Sequence, residues 1–218
     1  MSTYLTFATF FLLLVVDLQL SDACSCAPMH PQTAFCYSDV VIRAKIMSVK
    51  SVSFPNSTSL FHDCLEYGIK QTKMYKGFDL VQDVEFVYTA PDDGRCGFTH
   101  NPNSTREQFV ISGRMREGRV VITSCDFIEP WNRLTSGQKK GLMHTYKTAC
   151  DCNITPCYSL PCAVNSQKEC LWTDGLIKRS WYDDQYHNFA CVHHGTGTCI
   201  WERQKSRVSR KSMKTKFL

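Results

Sequence analysis

Residues 23–28, Ala23-Cys24-Ser25-Cys26-Ala27-Pro28 ("ACSCAP"), set two cysteines around one serine. They follow directly on a mostly apolar run, Leu5 to Val16, which Asp17 closes. Ser21 and Ala23 are small residues at −3 and −1 relative to a cut after Ala23, the pattern of a secretion signal. The run is too short to span a bilayer, which takes roughly 20 apolar residues. A cut after Ala23 makes Cys24 the first residue of the mature chain. Termini are usually frayed, so a firmly pinned one needs a reason. In an extended segment residues i and i+2 point the same way. If Cys24 and Cys26 are both bridged into the body, Ser25 points away from it. A disulfide that closes a long loop contributes about 4 kcal/mol in the chain-entropy model. Two of them would turn the terminus into a rigid ridge, although tying down a loose end is by itself reason enough for the cysteines.

Removing residues 1–23 leaves 195 residues, enough for one medium domain or two small ones. All 13 cysteines survive the cut, and in a secreted chain that density reads as disulfides rather than metal ligands. Three N-x-[ST] sequons, at Asn56, Asn103 and Asn153, agree with an extracellular destination as candidate glycosylation sites. No other apolar run could cross a membrane, so no membrane span is expected. The charge is unevenly placed. Residues 200–218 hold seven Lys/Arg against one Glu, which leaves the body from Cys24 to Cys199 nearly neutral.

Residues 40–49 ("VVIRAKIMSV") put Val40, Ile42, Ala44 and Ile46 on one face and Arg43 and Lys45 on the other, a half-buried strand. Similar strands are expected at 66–73, 84–89, 108–112 and 119–124. Five short strands separated by turn residues suggest a small closed barrel. Leu134 to Thr148 reads as a helix, with Thr135 and Gln138 as a capping box and Leu142, Met143 and Tyr146 as its apolar side. Beyond Cys150 the periodicity fades. Cys152, Cys157, Cys162, Cys170, Cys191 and Cys199 crowd a segment too short to bury much core, so a small module stapled by three disulfides is expected. The organisation is therefore a signal (1–23), an N-terminal domain (24–150), a disulfide-rich domain (151–199) and a basic, disordered tail (200–218).

The sequence holds no H-E-x-x-H, no G-x-S-x-G and no phosphate-binding loop, and no catalytic residues are assigned. His193 and His194 are adjacent, face opposite ways on a strand, and read as ordinary surface residues. The terminus offers a different chemistry. A free α-amine titrates at roughly 7.7–8, so a fair fraction is neutral near pH 7. The Cys24 nitrogen and carbonyl oxygen form a five-membered chelate. A catalytic zinc keeps one position open for water, and a rigid chelating terminus could displace that water. Ser25 would then enter the pocket on the primed side. The chain runs only away from the metal, so no peptide bond lies across it to be cut.

At these residues the sequence resembles the tissue inhibitors of metalloproteinases. The carrying stretches are "CSCAPMHPQTAFC" (24–36), "VIRAKI" (41–46), "GIKQTKMYKGF" (68–78), "CDFIEPW" (125–131) and "ECLWTD" (169–174), and the match runs from Cys24 to about Trp201. Within that family the resemblance is greatest to the vertebrate second-type inhibitor. The resemblance implies a mainly β chain: an N-terminal five-stranded OB-fold, netrin-like barrel with flanking helices, and a small disulfide-rich C-terminal β domain. It implies the pairs Cys24–Cys96, Cys26–Cys125, Cys36–Cys150, Cys152–Cys199, Cys157–Cys162 and Cys170–Cys191. It implies that the protein is not an enzyme and carries no cofactor of its own. Instead Cys24 chelates the zinc of a bound matrix metalloproteinase or related zinc endopeptidase through its amine and carbonyl. Ser25 fills the specificity pocket, Cys26, Ala27 and Pro28 continue the contact, and Asp93-Gly94-Arg95 packs beside them.

Three features depart from the family pattern. Cys64 is left without a partner, as a free thiol, a dimer link or a source of mispairing. Arg95 puts a cation at the expected contact edge. The tail is basic where the family's nearest members are acidic, which points to sulfated glycosaminoglycans or matrix rather than to docking on a progelatinase. No nucleic-acid partner is expected. An alternative reading keeps the fold and drops the inhibition: a netrin-like module that binds matrix or a receptor through the tail and second domain.

Overall fold

The computed structural model describes residues 24–55, 62–102, 107–195 and 197–204. The expected signal, the sequons at Asn56 and Asn103, and residues 205–218 of the tail lie outside them.

The first half is a six-stranded sheet built around two long strands, β1 (Val40–Ser53) and β2 (Asp63–Lys76). They form an antiparallel ribbon with register shifts at three places. Such bulges sharpen twist and let a ribbon coil. β2 pairs with β3 (Phe86–Thr89), β3 with β5 (Arg119–Val121), and β5 with β4 (Phe109–Arg116). β4 returns to the first residues of β1, so the five pairings close into a circuit. β6 (Ile128–Pro130) adds to the free side of β4. The alternation in β1 delivers Ile42, Ala44 and Ile46 into a core with Tyr67, Ile69, Val87, Phe109, Ile111 and Ile122. β2 is longer at both ends than its periodicity shows, while β3 and β5 are shorter. β6 and α1 (Pro31–Tyr37) carry no periodicity that marks them in the sequence.

The predicted capping box is present: Gln138 N–H donates to Thr135 Oγ1, and Thr135 N–H donates to Gln138 Oε1. The helix it starts is interrupted. α2 (Ser136–Lys140) passes through a π turn (Gly141–Thr145) into α3 (Tyr146–Thr148). A Cβ at Gly141 would stand 2.2 Å from the Tyr146 ring, so the widened turn and the glycine together make room for that ring. Leu142 and Tyr146 are buried as expected, but the extra residue in the turn rotates Met143 outward, where it is 43% exposed.

The second half holds two two-stranded sheets, parallel β7 (Asn153–Pro156) with β8 (Glu169–Trp172), and antiparallel β9 (Phe189–His194) with β10 (Thr198–Arg203). α4 (Asp174–Lys178) and α5 (Asp184–Asn188) lie between β8 and β9. The tail does not start at residue 200. β10 runs to Arg203, and Gln204 is buried, with its N–H on Asn188 O and its Oε1 accepting from Thr145 Oγ1. Among the described residues no helix is long and apolar enough to cross a membrane.

A second core draws on both halves, with Phe35, Val41, Leu134 and Tyr146 from one and Trp172, Tyr186 and Ala190 from the other. Two buried polar residues just before and within α1 knit this joint. Gln32 donates to the carbonyls of Ala149 and Cys191 and accepts the Cys191 N–H. His30 accepts the Gln32 N–H at Nδ1 and lies 3.0 Å through Nε2 from the Gln185 carbonyl, which selects the neutral Nε2–H tautomer. Burial depresses the His30 pKa to about 4. Between pH 6.5 and about 4 the unfolded chain therefore binds a proton that the folded chain does not. The joint's contribution is complete above pH 6.5 and falls by about 3 kcal/mol as the pH drops through that window. Urea unfolding at pH 7 and pH 4 should show the loss in the native chain and its absence in His30→Gln. Parallel losses in the two proteins would contradict it.

Candidate functional site

Residues 24–28 sit where two loops converge. Cys24 is bonded to Cys96, which follows β3, and Cys26 to Cys125, which follows β5. The Cα separation is 5.2 Å in both. The sulfur of Cys125 lies 3.8 Å from that of Cys24 and 3.7 Å from that of Cys96, so the two bridges touch. The other pairs are Cys36–Cys150, Cys152–Cys199, Cys157–Cys162 and Cys170–Cys191. Between the first two bridges Ser25 is exposed, as are Cys26 and Ala27, while Cys24 and Pro28 are half-buried.

Each loop is braced from within. In the first, a 3₁₀ turn (Asp93–Arg95) ends at Cys96, which adopts the left-handed conformation at φ 57°. Gly97 N–H donates to Asp92 O, and a Cβ at Gly97 would stand 2.3 Å from the Ala90 carbonyl oxygen and 2.7 Å from that of Asp92. In the second, the Asp126 carboxylate accepts from Thr123 N–H and Thr123 Oγ1. Burial raises the Asp126 pKa despite those bonds. Ser124 N–H donates to Cys96 O at 2.8 Å and joins the loops directly.

Arg95 does not present a free cation. Its Nε lies 2.8 Å and its Nη2 2.6 Å from Asp92 Oδ2, and Asp92 also caps the turn by accepting Arg95 N–H. The pairing lowers the Asp92 pKa and raises that of Arg95. Asp92, one residue ahead of the stretch singled out from the sequence, is thus what orients Arg95. Its signal is an acid three residues before a base at the start of a tight turn. Also absent from the sequence reading is a cleft of about 160 Å³ along the ridge, where Cys26, Ala27 and Met29 meet Asp126, Glu129 and Tyr182. Tyr182 comes from the second half, and no local pattern could place it there.

The sulfurs of Cys24, Cys26 and Cys125 are close enough to suggest a metal cluster, but all are consumed in disulfides. A thiolate, not a disulfide sulfur, is the metal ligand. What remains to Cys24 as donors is its backbone nitrogen and carbonyl oxygen. Cys64 is free and buried in β2, in register with Val52, and burial raises its thiol pKa. A thiol so enclosed is not available to link two chains. Asn153 is exposed at the start of β7, and the hydroxyl of its sequon partner Thr155 donates to Glu169 at 2.5 Å. His193 is exposed, as expected of a surface residue, and its Nε2 lies 2.5 Å from Asp151 Oδ1.

The fold and site together define a disulfide-rich, mainly β protein that presents one exposed segment, residues 24–28, pinned by two long-range bridges. Comparison with known families agrees. Residues 22–201 match the family model described as tissue inhibitor of metalloproteinase. The chain is 44% identical over 186 residues to metalloproteinase inhibitor 2 of Canis lupus familiaris, covering 84% of this chain and 83% of that one. It is 43% identical over 183 residues to metalloproteinase inhibitor 4 of Mus musculus (84% and 81% covered). It is 42% identical over 186 residues to metalloproteinase inhibitor 3 of Scyliorhinus torazame (85% and 83% covered). The chain belongs to the tissue inhibitor of metalloproteinase family, a family of inhibitors and not of enzymes. Identities of 42–44% to types 2, 3 and 4 do not single out one of them.

Because the atoms that crowd Gly97 are backbone, Gly97→Ala must shift the loop that carries Cys96. We expect a cost above about 2 kcal/mol, a fall in melting temperature of about 4–8 °C. Calorimetry of the purified variant measures it, and an unchanged midpoint would show that the loop yields freely.

Proposed function

We propose that the protein is a secreted, stoichiometric inhibitor of matrix metalloproteinases and related zinc endopeptidases, acting through the residue 24–28 ridge. The observation that carries this reading is the pair of touching disulfides, which hold Cys24 and Cys26 while Ser25 stays exposed between them. With its sulfur bonded, Cys24 has only main-chain donors to offer a metal. In the mature chain those are the α-amine and the carbonyl oxygen, positioned for a five-membered chelate on the protease's zinc. The zinc belongs to the protease; this chain supplies the two donors and blocks the position a hydrolytic water would hold. Ser25 enters the primed-side pocket, Ala27 and Pro28 continue along the groove, and the Asp93–Arg95 turn packs alongside. Preorganisation supports the reading: a terminus already fixed by two long-range bridges has little entropy left to lose on binding.

In this reading the closed circuit of five strand pairings is the OB-type, netrin-like barrel, spanning 24–150 with α1, α2 and α3 against it. The disulfide-rich domain begins at 151 and extends through Gln204, beyond Cys199. Secretion exposes the Cys24 amine by removal of residues 1–23. The basic residues beyond Gln204 are suited to sulfated glycosaminoglycans or matrix, and a glycan is expected at Asn153.

One added alanine before Cys24 removes the free amine from the ridge and leaves every disulfide possible. Titration of the purified protein against an active matrix metalloproteinase, with the terminus read by mass spectrometry, should give one-to-one inhibition for a chain starting at Cys24. The extended chain should lose at least about 100-fold in affinity, because losing a metal donor costs more than the roughly 10–100-fold lost with a residue that only supports one. Equal inhibition by both would sink the chelation mechanism. Ser25→Gly should weaken inhibition by different factors for proteases whose pockets differ in depth, because only the pocket contact is lost. A uniform loss across several enzymes would place Ser25 outside the pocket.

A further inference from the structure

A cleft of about 370 Å³ opens where the two halves of the chain meet. Thr33, Cys36 and Tyr37 of α1 line one side, and Asn153, Thr155 and Glu169 of β7 and β8 line the other. It shares no lining residue with the cleft beside Ala27 and Tyr182. Its deepest part is already fixed. Gln32 has committed its amide to Ala149 and Cys191, and Cys36 is bonded to Cys150.

Two features suit the cleft to a sugar. The first is an aromatic face. Phe35 is buried against Tyr146, whereas Tyr37, two residues later on the same helix, is 66% exposed. A tyrosine ring at the rim of a polar cleft offers an apolar surface and a polar tip together. The second is hydrogen-bonding capacity. The Glu169 carboxylate accepts from Thr155 Oγ1 and from Asn165 N–H, and these bonds hold its pKa below the ordinary value. An ionised carboxylate has about four lone-pair sites, so acceptors remain for hydroxyls that enter the cleft.

Asn153 supplies the point of attachment. It is exposed, opens β7 and lies in register with Glu169 across the parallel pair. Residues i and i+2 of a strand share a face, so Asn153 lies on the same side as Thr155, which reaches Glu169. β7 has β8 as its one partner in that sheet, which leaves its other edge open.

We propose that the first sugar of an N-linked glycan on Asn153 seats in this cleft, with its apolar face on the Tyr37 ring and its hydroxyls on Glu169 and Thr33. There it clamps α1 to β7 and β8 from outside, across the joint that His30 and Gln32 hold from within. The inference rests on the reading of the chain as secreted and glycosylated at Asn153, and does not depend on inhibition. In the transfer, the Asn153 amide nitrogen gives up a proton and bonds to the anomeric carbon of N-acetylglucosamine. The bond from that carbon to a phosphate oxygen of a lipid-linked diphosphate donor breaks, and the lipid diphosphate leaves. A cleft this open would hold a free sugar weakly, but a tethered one seats at high effective concentration.

The test uses the full chain secreted from animal cells with the other sequons removed by Asn56→Gln and Asn103→Gln. Mass spectrometry reads the glycan on Asn153, and an endoglycosidase trims it to a single N-acetylglucosamine. The intact and trimmed glycoproteins should melt within about 1 °C of each other and about 3 °C above the Asn153→Gln chain. Tyr37→Ala should lower the midpoint by about 3 °C in the trimmed glycoprotein and by less than about 1 °C in the Asn153→Gln chain, the mark of a contact between ring and sugar. A glycan in place with the same midpoint in all these chains would overturn the seating and leave the glycosylation standing. So would an equal effect of Tyr37→Ala with and without the sugar. Loss of the added stability on trimming would assign it to the outer sugars and overturn the proposal too. An unmodified Asn153 would overturn both the seating and the glycosylation.

Discussion

The structure depends on two disulfides that leave residues two apart and run to two different loops. Their effect rests on strand order. β3 and β5 are parallel neighbours, so the chain leaves both at the same end of the sheet. The loop after β3 carries Cys96 and the loop after β5 carries Cys125, and Ser124 N–H to Cys96 O ties them together. Cys24 and Cys26 close onto a platform that the strand circuit has already assembled. The one parallel pairing among the described residues of the first sheet thus brings two distant cysteines to one place, and residues 24–26 inherit the rigidity of the sheet.

The segment after the ridge is held as firmly from behind. His30 and Gln32 lie within eight residues of Cys24, and both are almost fully buried against the second half of the chain. Gln32 meets Cys191 as a strand neighbour would, giving and receiving a backbone bond with one side chain. His30 is packed against Trp172, Tyr186 and Trp201. Polar groups in such a place must be fully bonded or they destabilise the joint. Here they are bonded in a way that fixes the course of the chain from residue 30 back to the ridge. The second half therefore buttresses residues 24–28, and through Tyr182 it also lines the cleft beside them.

What is legible in the sequence is the part governed by local pattern. The alternation of β1, the capping box at Thr135 and the contrast between halves all follow from spacing, and all are present. The count of strands points to a barrel but not to its strand order, because pairing is a long-range property. The disulfide partners follow from family resemblance and not from spacing, which leaves connectivity open. α1 escapes a periodicity reading although His30-Pro31 is a start signal, with a side-chain acceptor at the cap and proline at the first helical position. The π turn is beyond local pattern altogether, since it answers to the Tyr146 ring beneath Gly141. Met143 is placed on the wrong side for that reason: periodicity of 3.6 assumes that no residue is inserted.

Charge shows the same limit from another side. Summed along the sequence, the body from Cys24 to Cys199 is close to neutral, and its basic residues are dispersed. Folding sorts them. At the ridge Arg95 is matched to Asp92, so the cation expected at that edge is largely offset by a partner three residues away. On the ribbon, Lys45 with Lys70 and Arg43 with Lys73, 25 and 30 positions apart in sequence, become nearest neighbours of the same sign. Opposite signs would have been the stabilising choice at those positions, and Lys50 with Glu66 shows that the same two strands accommodate it. A net charge near zero therefore hides one face with its charges satisfied and another that stays cationic, and only the strand register separates them.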